Sequence, residues 1–511
     1  MLPRILNSAA RGHRTGARLA RGAARILPSV VATALLLGGC NLAPRYSRPS
    51  TPEPAAFKES AAPAPLGSTA WKVATPSDDK IRAKWWEIYR DPALSALEER
   101  VMGSNQTIAG AAASFRVARA LALSATSAIY PSVSTSPSFS RQRGSTNTAN
   151  KVGGANPYNL FELPVDVSYT LDLWHRLGNT AAAAEYSAQS SAADLATAVL
   201  GIQAELAQDY FEVRALDEER NILNETVASY RQDLDLTVSL YQTGIDSEED
   251  VATARTQLDT VIAQATDVGV ARAQYEHAIA VLLGQAPSSF SISAAPFIGT
   301  PPVVPISVPS ELLERRPDIA SAERQVAAAN AQIGVARSAY FPNITLSAAG
   351  WFESAASGQL LNWPSRFWSF GPQVSAILFE NGALRAVNEQ ARAAYDQTVA
   401  GYRQTVLAAF QAVEDNVATL RILAEESVQE QNAVESAQHY LDLAMTRYKA
   451  GIDSYLNVET AQTTVLTSRE TALQIELREM NASVSLVMAL GGGWDTSQLP
   501  GPKKVVGNAG N

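Results

Sequence analysis

Hydrophobic and polar positions follow two periods along this chain, and the switches between them mark its elements. From about Pro92 to Ile129 apolar residues recur at helical spacing, with a break at Gly103-Ser104-Asn105 and a stop before Pro131. Beyond Pro131 the period drops to two: Val133, Thr135, Pro137 and Phe139 alternate with serines, and a Gly/Asn/Thr-rich loop from Gln142 to Asn159 follows. The next alternation is cleaner. Phe161, Leu163, Val165, Val167, Tyr169, Leu171 and Leu173 share one face; Glu162, Pro164, Asp166, Ser168, Thr170 and Asp172 share the other. The pattern returns with Ile344, Leu346 and Ala348, a loop from Glu353 to Arg366, and then Trp368, Phe370, Pro372, Val374, Ala376 and Leu378. Four strands in two hairpins are predicted. A soluble sandwich alternates in the same way, but four strands leave little for a second sheet, and alternation over about ten residues with aromatics near the strand ends is also the pattern of a membrane barrel strand.

Between these hairpins the period is helical for unusually long runs. No proline occurs between Pro164 and Pro287, or between Pro372 and Pro500, and each gap holds two helices. The stretch from Asn179 to Leu240 alone would reach about 93 Å at 1.5 Å per residue. On the returning helix Val251, Ala254, Leu258, Val261, Ala265 and Val268 keep the 3,4 spacing of a coiled-coil seam. The turn between the two helices, Tyr241-Gln-Thr-Gly-Ile-Asp-Ser247, recurs as Tyr448-Lys-Ala-Gly-Ile-Asp-Ser454. Gly244 and Gly451 suit the left-handed residue that closes a helix, and Ser247 or Ser454 can cap the next. The repeat extends outward, since Tyr130-Pro131-Ser132-Val133 matches Phe341-Pro342-Asn343-Ile344 and Val167-Ser168 matches Val374-Ser375. Two similar halves in one elongated body are therefore expected.

The N-terminus changes the picture of where this body resides. Met1 to Gly39 holds six arginines and no acid, and its apolar run from Val30 to Leu37 leads into Leu37-Gly38-Gly39-Cys40, a secretory leader that resembles a bacterial lipobox. Cleavage before Cys40 and acylation of that residue are expected. Cys40 is the sole cysteine, so no disulfide can form within one chain. Removing the leader takes the formal net charge from −9 to −15, which argues against nucleic acid as a partner. After Cys40 no run of 18 apolar residues occurs, so any spanning falls to the strands. The Pro/Ala/Ser-rich stretch from Asn41 to Pro76 reads as an extended arm, with Trp85, Trp86 and Tyr89 docking it on the body. Pro287 to Pro309 reads as a surface linker between the halves. The four histidines, His13, His175, His277 and His439, are scattered, and no metal or phosphate motif is present, so no enzyme, metal site or cofactor is expected.

The stretch from Pro309 to Arg324, Pro-Ser-Glu-Leu-Leu-Glu-Arg-Arg-Pro-Asp-Ile-Ala-Ser-Ala-Glu-Arg, continuing to Ala-Arg-Ser-Ala-Tyr-Phe-Pro-Asn343, resembles the TolC-like outer-membrane efflux proteins, and more narrowly the lipoprotein branch that serves RND-type multidrug pumps. The likeness covers nearly all of the chain after Gly39, including Tyr-Thr-Leu-Asp-Leu-Trp174, both turn motifs, and Leu-Val-Met-Ala-Leu-Gly-Gly-Gly-Trp494. It implies a mainly α protein with membrane β: a homotrimer whose protomers each give four strands to a twelve-stranded barrel and helices to a periplasmic tube. On this reading residues 1–39 are the leader, 40–91 a lipidated arm, 92–286 and 310–490 two repeats, 287–309 the linker and 491–511 a tail. The expected function is a passive exit duct in the outer membrane, working with a periplasmic adaptor and an inner-membrane RND transporter. A type I secretion exit and a non-conducting envelope scaffold are the alternatives.

The resemblance also implies a gate at the tube's tip. Tyr448 and Gly451 match the family's second tip, and Leu456 falls where an apolar constriction is expected. The family's arginine position is Asp453 here, and its gate aspartate is Thr460, so Asp246, Glu249 and Asp250 of the first tip are the candidates for an acidic ring. Phe161, Leu163, Val165 and Val167 are expected toward outer-membrane lipid, and Glu162, Asp166 and Asp172 toward the lumen.

Overall fold

The computed structural model describes residues 40–51, 54, 56–59, 84–145, 156–297, 299–304, 313–501, 504 and 505. The leader, parts of the arm, the linker and the first strand loop, and the chain's last residues lie outside the described set.

A short 3-10 turn, Trp85–Tyr89, precedes α1 (Pro92–Ser104) and α2 (Gln106–Ser127), which break at Asn105 as the pattern predicts. Then follow β1 (Ser132–Thr135), β2 (Ser138–Gln142), β3 (Tyr158–Leu171), α3 (Arg176–Gln242), α4 (Glu248–Leu282), α5 (Pro317–Ser338), β4 (Asn343–Ser354), β5 (Arg366–Ser375), α6 (Ala383–Lys449) and α7 (Tyr455–Ala489). Helix lengths of 22, 67 and 35 residues occur in that order twice, as α2, α3, α4 and as α5, α6, α7. Each 67-residue helix is about 100 Å long.

All the strand segments form one antiparallel sheet in the order β1, β3, β4, β5, with β2 also on β3. The first predicted strand is split in two because prolines remove ladder donors where it breaks. Pro137 lies between β1 and β2, Pro164 lies opposite the gap, and the Thr135 hydroxyl donates to the Pro164 carbonyl at 2.7 Å. The register sorts the faces across all lanes, since directly opposed residues share a side. Val133, Val167, Ala348 and Phe370 form one row, and Leu171, Ile344 and Val374 another. The other face carries Ser132, Ser168, Ser347 and Gly371, the row Ser134, Asp166, Ala349 and Ser369, and the neighbours Ser138, Glu162 and Glu353. Within one chain β1/β2 and β5 are open edges. Asp172 departs from its expected place on the wet strand face. It lies past the end of β3 and accepts from the Leu177 and Gly178 amides at 3.0 and 2.7 Å, because the first amides of α3 have no partner within their own helix.

The helices form a wall about one helix thick. Long α3 packs on α2 and α5 toward the sheet and on α4 and α7 toward the tips, while α6 packs mainly on α5 and α7. A belt crosses this wall midway. Trp85 and Trp86 are buried, the Trp85 indole donates to Gln203 at 3.3 Å, Tyr210 donates to Asp91 at 2.6 Å, and Tyr89 and Ser483 bond at 2.8 Å. The linker is clamped there by charge. Arg214 and Arg272 donate to the carbonyls of Ser293 and Ile292, Glu276 accepts the Ile292 amide, and Asp217 bridges both arginines at 3.3 and 2.6 Å.

Glu98, on α1 under the belt, is fully buried with neither carboxylate oxygen bonded among the described residues, and burial pushes its carboxyl up to about 9. A raised carboxyl pKa makes its contribution to stability complete below the ordinary carboxylate range and lost as pH rises toward about 9. Thermal unfolding of Glu98→Gln across that interval should therefore decline less than that of the native chain; an equal decline would show that Glu98 is not the group responsible.

Candidate functional site

The two helical tips come together at the end of the helical wall farthest from the sheet. Each turn is closed as its sequence requires. Gly244 and Gly451 adopt φ of +74° and +64°, where a side chain would be strained, and their amides close back on Tyr241 and Tyr448. The restarts differ. Ser247 and Asp250 form a reciprocal capping box, with the Asp250 amide donating to Ser247 Oγ at 3.1 Å and the Ser247 amide donating to Asp250 Oδ2 at 3.2 Å. Ser454, expected to cap in the same way, makes no side-chain cap bond. The residue three positions on is Asn457 rather than an acid, so the box has no second half. The Asp250 carboxylate is thus engaged in starting α4.

Between the tips lies a polar junction that the sequence did not reveal. Tyr448, 2% exposed, donates to the Asp246 carboxylate of the other tip, and its hydroxyl lies 2.9 Å from Thr237 Oγ1. Burial first, and then the Asp246 carboxylate, push the Tyr448 phenol up, so it stays a donor at neutral pH. One layer farther in, Gln462 donates to buried Asp233 at 2.5 Å, and Tyr455, 1% exposed, donates to Gln257 at 3.3 Å. Burial raises Asp233, and the Gln462 bond partly opposes that shift. The Tyr448 and Tyr455 rings meet edge to face at 5.5 Å, and Ala254, Ala444, Val458 and Ala461 seal the layer. The two hairpins are therefore joined by buried polar bonds, with Tyr448 on Asp246 and Thr237 in the outer layer and Gln462 on Asp233 and Tyr455 on Gln257 in the inner one.

The other predicted residues lie around this junction. Asp453 pairs with Arg447 at 2.7 Å within its own tip, closing the turn with an ion pair rather than reaching across. Thr460 donates to the Leu456 carbonyl at 2.9 Å along its own helix. Leu456 is 64% exposed and is flanked in sequence by exposed Ile452; Ile245 is its counterpart on the first tip. Glu249 is exposed and, with Glu459, lines a groove of about 540 Å³ between α4 and α7 whose floor includes Tyr230. Tyr241 is the sequence counterpart of Tyr448 yet is 44% exposed. No motif distinguishes the two tyrosines; the signal available was the acid at position 246 facing a tyrosine two hundred residues away, which spacing does not expose.

Tyr448→Phe keeps the ring and removes the bond to Asp246, a charge-assisted contact worth about 1.5–3 kcal/mol. Hydrogen exchange at residues 241–250 should become faster in that variant while exchange at the belt is unchanged. Unchanged exchange at the tip would mean that packing alone joins the hairpins.

The outer membrane efflux protein pattern matches residues 97–285 and again 308–492. The toluene efflux pump outer membrane protein TtgF of Pseudomonas putida is 31% identical over 468 residues, covering 91% of this chain and 96% of the relative. The pyoverdine export outer membrane protein OpmQ of Pseudomonas aeruginosa is 30% identical over 481 residues, covering 92% and 97%. Among solved structures, the outer-membrane channel OprN superposes with a TM-score of 0.81 at 28% identity, covering 89% of this chain and all of that one. The CusC channel superposes with a TM-score of 0.76 at 26% identity and covers 89% of this chain.

Proposed function

The chain belongs to the outer membrane efflux protein family, and we propose that three copies of it build the exit duct of a tripartite efflux system, each giving four strand lanes to a twelve-stranded barrel. The observation that carries this reading is the sheet itself. It has an apolar face, a polar face and two open edges, and an open edge cannot face lipid because its amides and carbonyls would be left without partners. Four lanes are too few to close a barrel, whose minimum is about eight. The helical wall is open in the same way. Edge helix α2 is apolar yet largely exposed, Val117 and Leu121 included. Val387, Leu407 and Ile422 are exposed on α6 at the other edge. A neighbouring copy covers both, and the recurrence of the 22, 67 and 35-residue helices fits a duplicated unit that gives the ring six similar steps.

The duct is passive: an inner-membrane RND-type transporter supplies the energy through a periplasmic adaptor. Relatives of almost equal identity are named for toluene and for pyoverdine, in keeping with a conduit whose cargo is chosen upstream. The tips are the closed end, with the Tyr448 to Asp246 junction joining the hairpins, Leu456 the apolar constriction, and Glu249 adding charge at the rim. Cys40 carries the lipid anchor. Its reading is supported by the arm, which brings Asn41 to Asn179 at 3.1 Å, three residues from the start of α3 and so beside the sheet.

The lumen wall is assigned by elimination of faces. On α3 the residues that meet the belt are Gln203, Tyr210, Arg214 and Asp217, while Glu205, Asp209, Glu212 and Glu219 recur on the opposite side at helical spacing. With the belt outside, these acids face the lumen. Burial, and then Glu205 and Glu212, push the Asp209 carboxyl up to about 7. As pH falls through that value the wall loses negative charge, so cation selectivity in planar-bilayer recordings should fall, and Asp209→Asn should flatten the step. An Asp209→Asn channel with the native pH response would place this stripe elsewhere than the lumen.

The barrel assignment has its own test. Val165→Arg, at the lipid midplane, should cost about 2–4 kcal/mol of stability and Asp166→Arg much less. Equal losses of assembled trimer in the two variants would remove the face assignment.

A further inference from the structure

A cavity of about 260 Å³ lies where the strands meet the helices, walled by Asp172, Trp174 and Arg176 after β3 and by Ser338, Phe341 and Pro342 before β4. In its apolar wall the Trp174 indole donates to the Pro342 carbonyl at 2.8 Å and stacks on Phe341 with centroids 4.6 Å apart. Its rim carries the exposed Arg176.

The N-terminal arm leads to this cavity. Traced backward from Tyr46, it climbs α5 in register. Tyr46 donates to Glu323, the Pro44 carbonyl accepts from Asn330 at 2.9 Å, Ala43 lies against Gly334, and the Leu42 carbonyl accepts from Arg337 at 3.2 Å. Gly334 is what lets the arm lie so close, since a Cβ there would fall 2.6 Å from that of Ala43. Asn41 then meets Asn179, one helical turn below Arg176. Cys40 is the next residue back along the arm: Asn41 meets Asn179, three residues from Arg176 on the cavity rim, and Leu42 meets Arg337, next to the lining residue Ser338.

We propose that this cavity receives the lipid carried by Cys40: the polar glyceryl ester at the Arg176 rim and the first methylenes of one acyl chain against Trp174 and Phe341. The inference rests on the anchoring reading above. It makes the anchor a packed part of the strand–helix joint rather than a tether at the end of a free arm. The mixture of lining groups fits an ester linked to hydrocarbon better than it fits a wholly apolar or wholly charged ligand.

The test uses the full chain with its leader, produced in cells fed a fatty acid that bears a diazirine and an alkyne. The purified protein is weighed intact, irradiated and digested. The expected result is acyl mass on the peptide beginning at Cys40, and a cross-link from it to a peptide containing Ser338–Pro342 or Trp174–Arg176. Ile377→Trp, which fills the cavity from a position 58% exposed, should cut that cross-link several-fold and leave the acyl mass intact. An intact mass without acyl additions overturns the anchoring reading and this inference with it. Acylated protein whose cross-links fall only on free lipid, or are undiminished in Ile377→Trp, overturns this inference alone.

Discussion

The requirement that every backbone amide and carbonyl in a membrane find a partner governs this molecule. One chain offers a sheet whose inner lanes, β3 and β4, have partner strands on both sides and whose outer lanes, β1/β2 and β5, have one on a single side. The prolines respect that constraint: Pro372 sits in edge strand β5, and Pro164 faces the gap between β1 and β2, so the ladder gives way where a donor is missing. On the proposed reading, closure against further copies would pair these edges and give the apolar rows of the sheet a lipid face to occupy.

The same incompleteness runs down the helices. A wall one helix thick has no interior of its own, so its cohesion comes from lateral contacts and from the belt that ties them. The belt is where the largest apolar cluster collects, from Trp85 and Phe211 to Met480 and Leu490, and where the charged clamp of Arg214, Asp217, Arg272 and Glu276 holds the linker. Toward the tips the clusters shrink to the few residues around Tyr448 and Tyr455. Cohesion therefore declines from belt to tip, where few buried contacts surround a polar junction.

Both chain ends reinforce the upper wall. The described residues of the arm, 41–51, 54 and 56–59, lie along α5 and α6, with Glu59 pairing Arg421 at 3.0 Å. The tail returns along α2 and α3, where the Pro500 and Val505 carbonyls accept from Gln189 and Arg119, and Val505 packs on Ala122 and Ala188. These segments carry no hydrophobic periodicity of their own. Their place is set by scattered side-chain and backbone bonds and by single buried residues such as Phe57 and Val505.

Periodicity, punctuation and duplication were enough to establish most of the architecture from sequence. Period two marked the strands, the proline-free runs marked helices of about the right length, the Asn105 break fell where expected, and Gly244 and Gly451 took their left-handed turns. These are local properties, since a strand's faces or a glycine's φ depends on residues nearby. What the tertiary structure alone decided is partnership at a distance. Tyr241 and Tyr448 occupy the same place in the same motif, yet one is exposed and the other buried on Asp246 and Thr237. Asp172 reads as a strand residue until the start of α3 claims its carboxylate, and the Asp250 carboxylate is engaged by the cap of its own helix. In each case a polar group has several possible partners of equal chemistry, and the choice is made by which backbone or side chain the fold brings within about 3 Å.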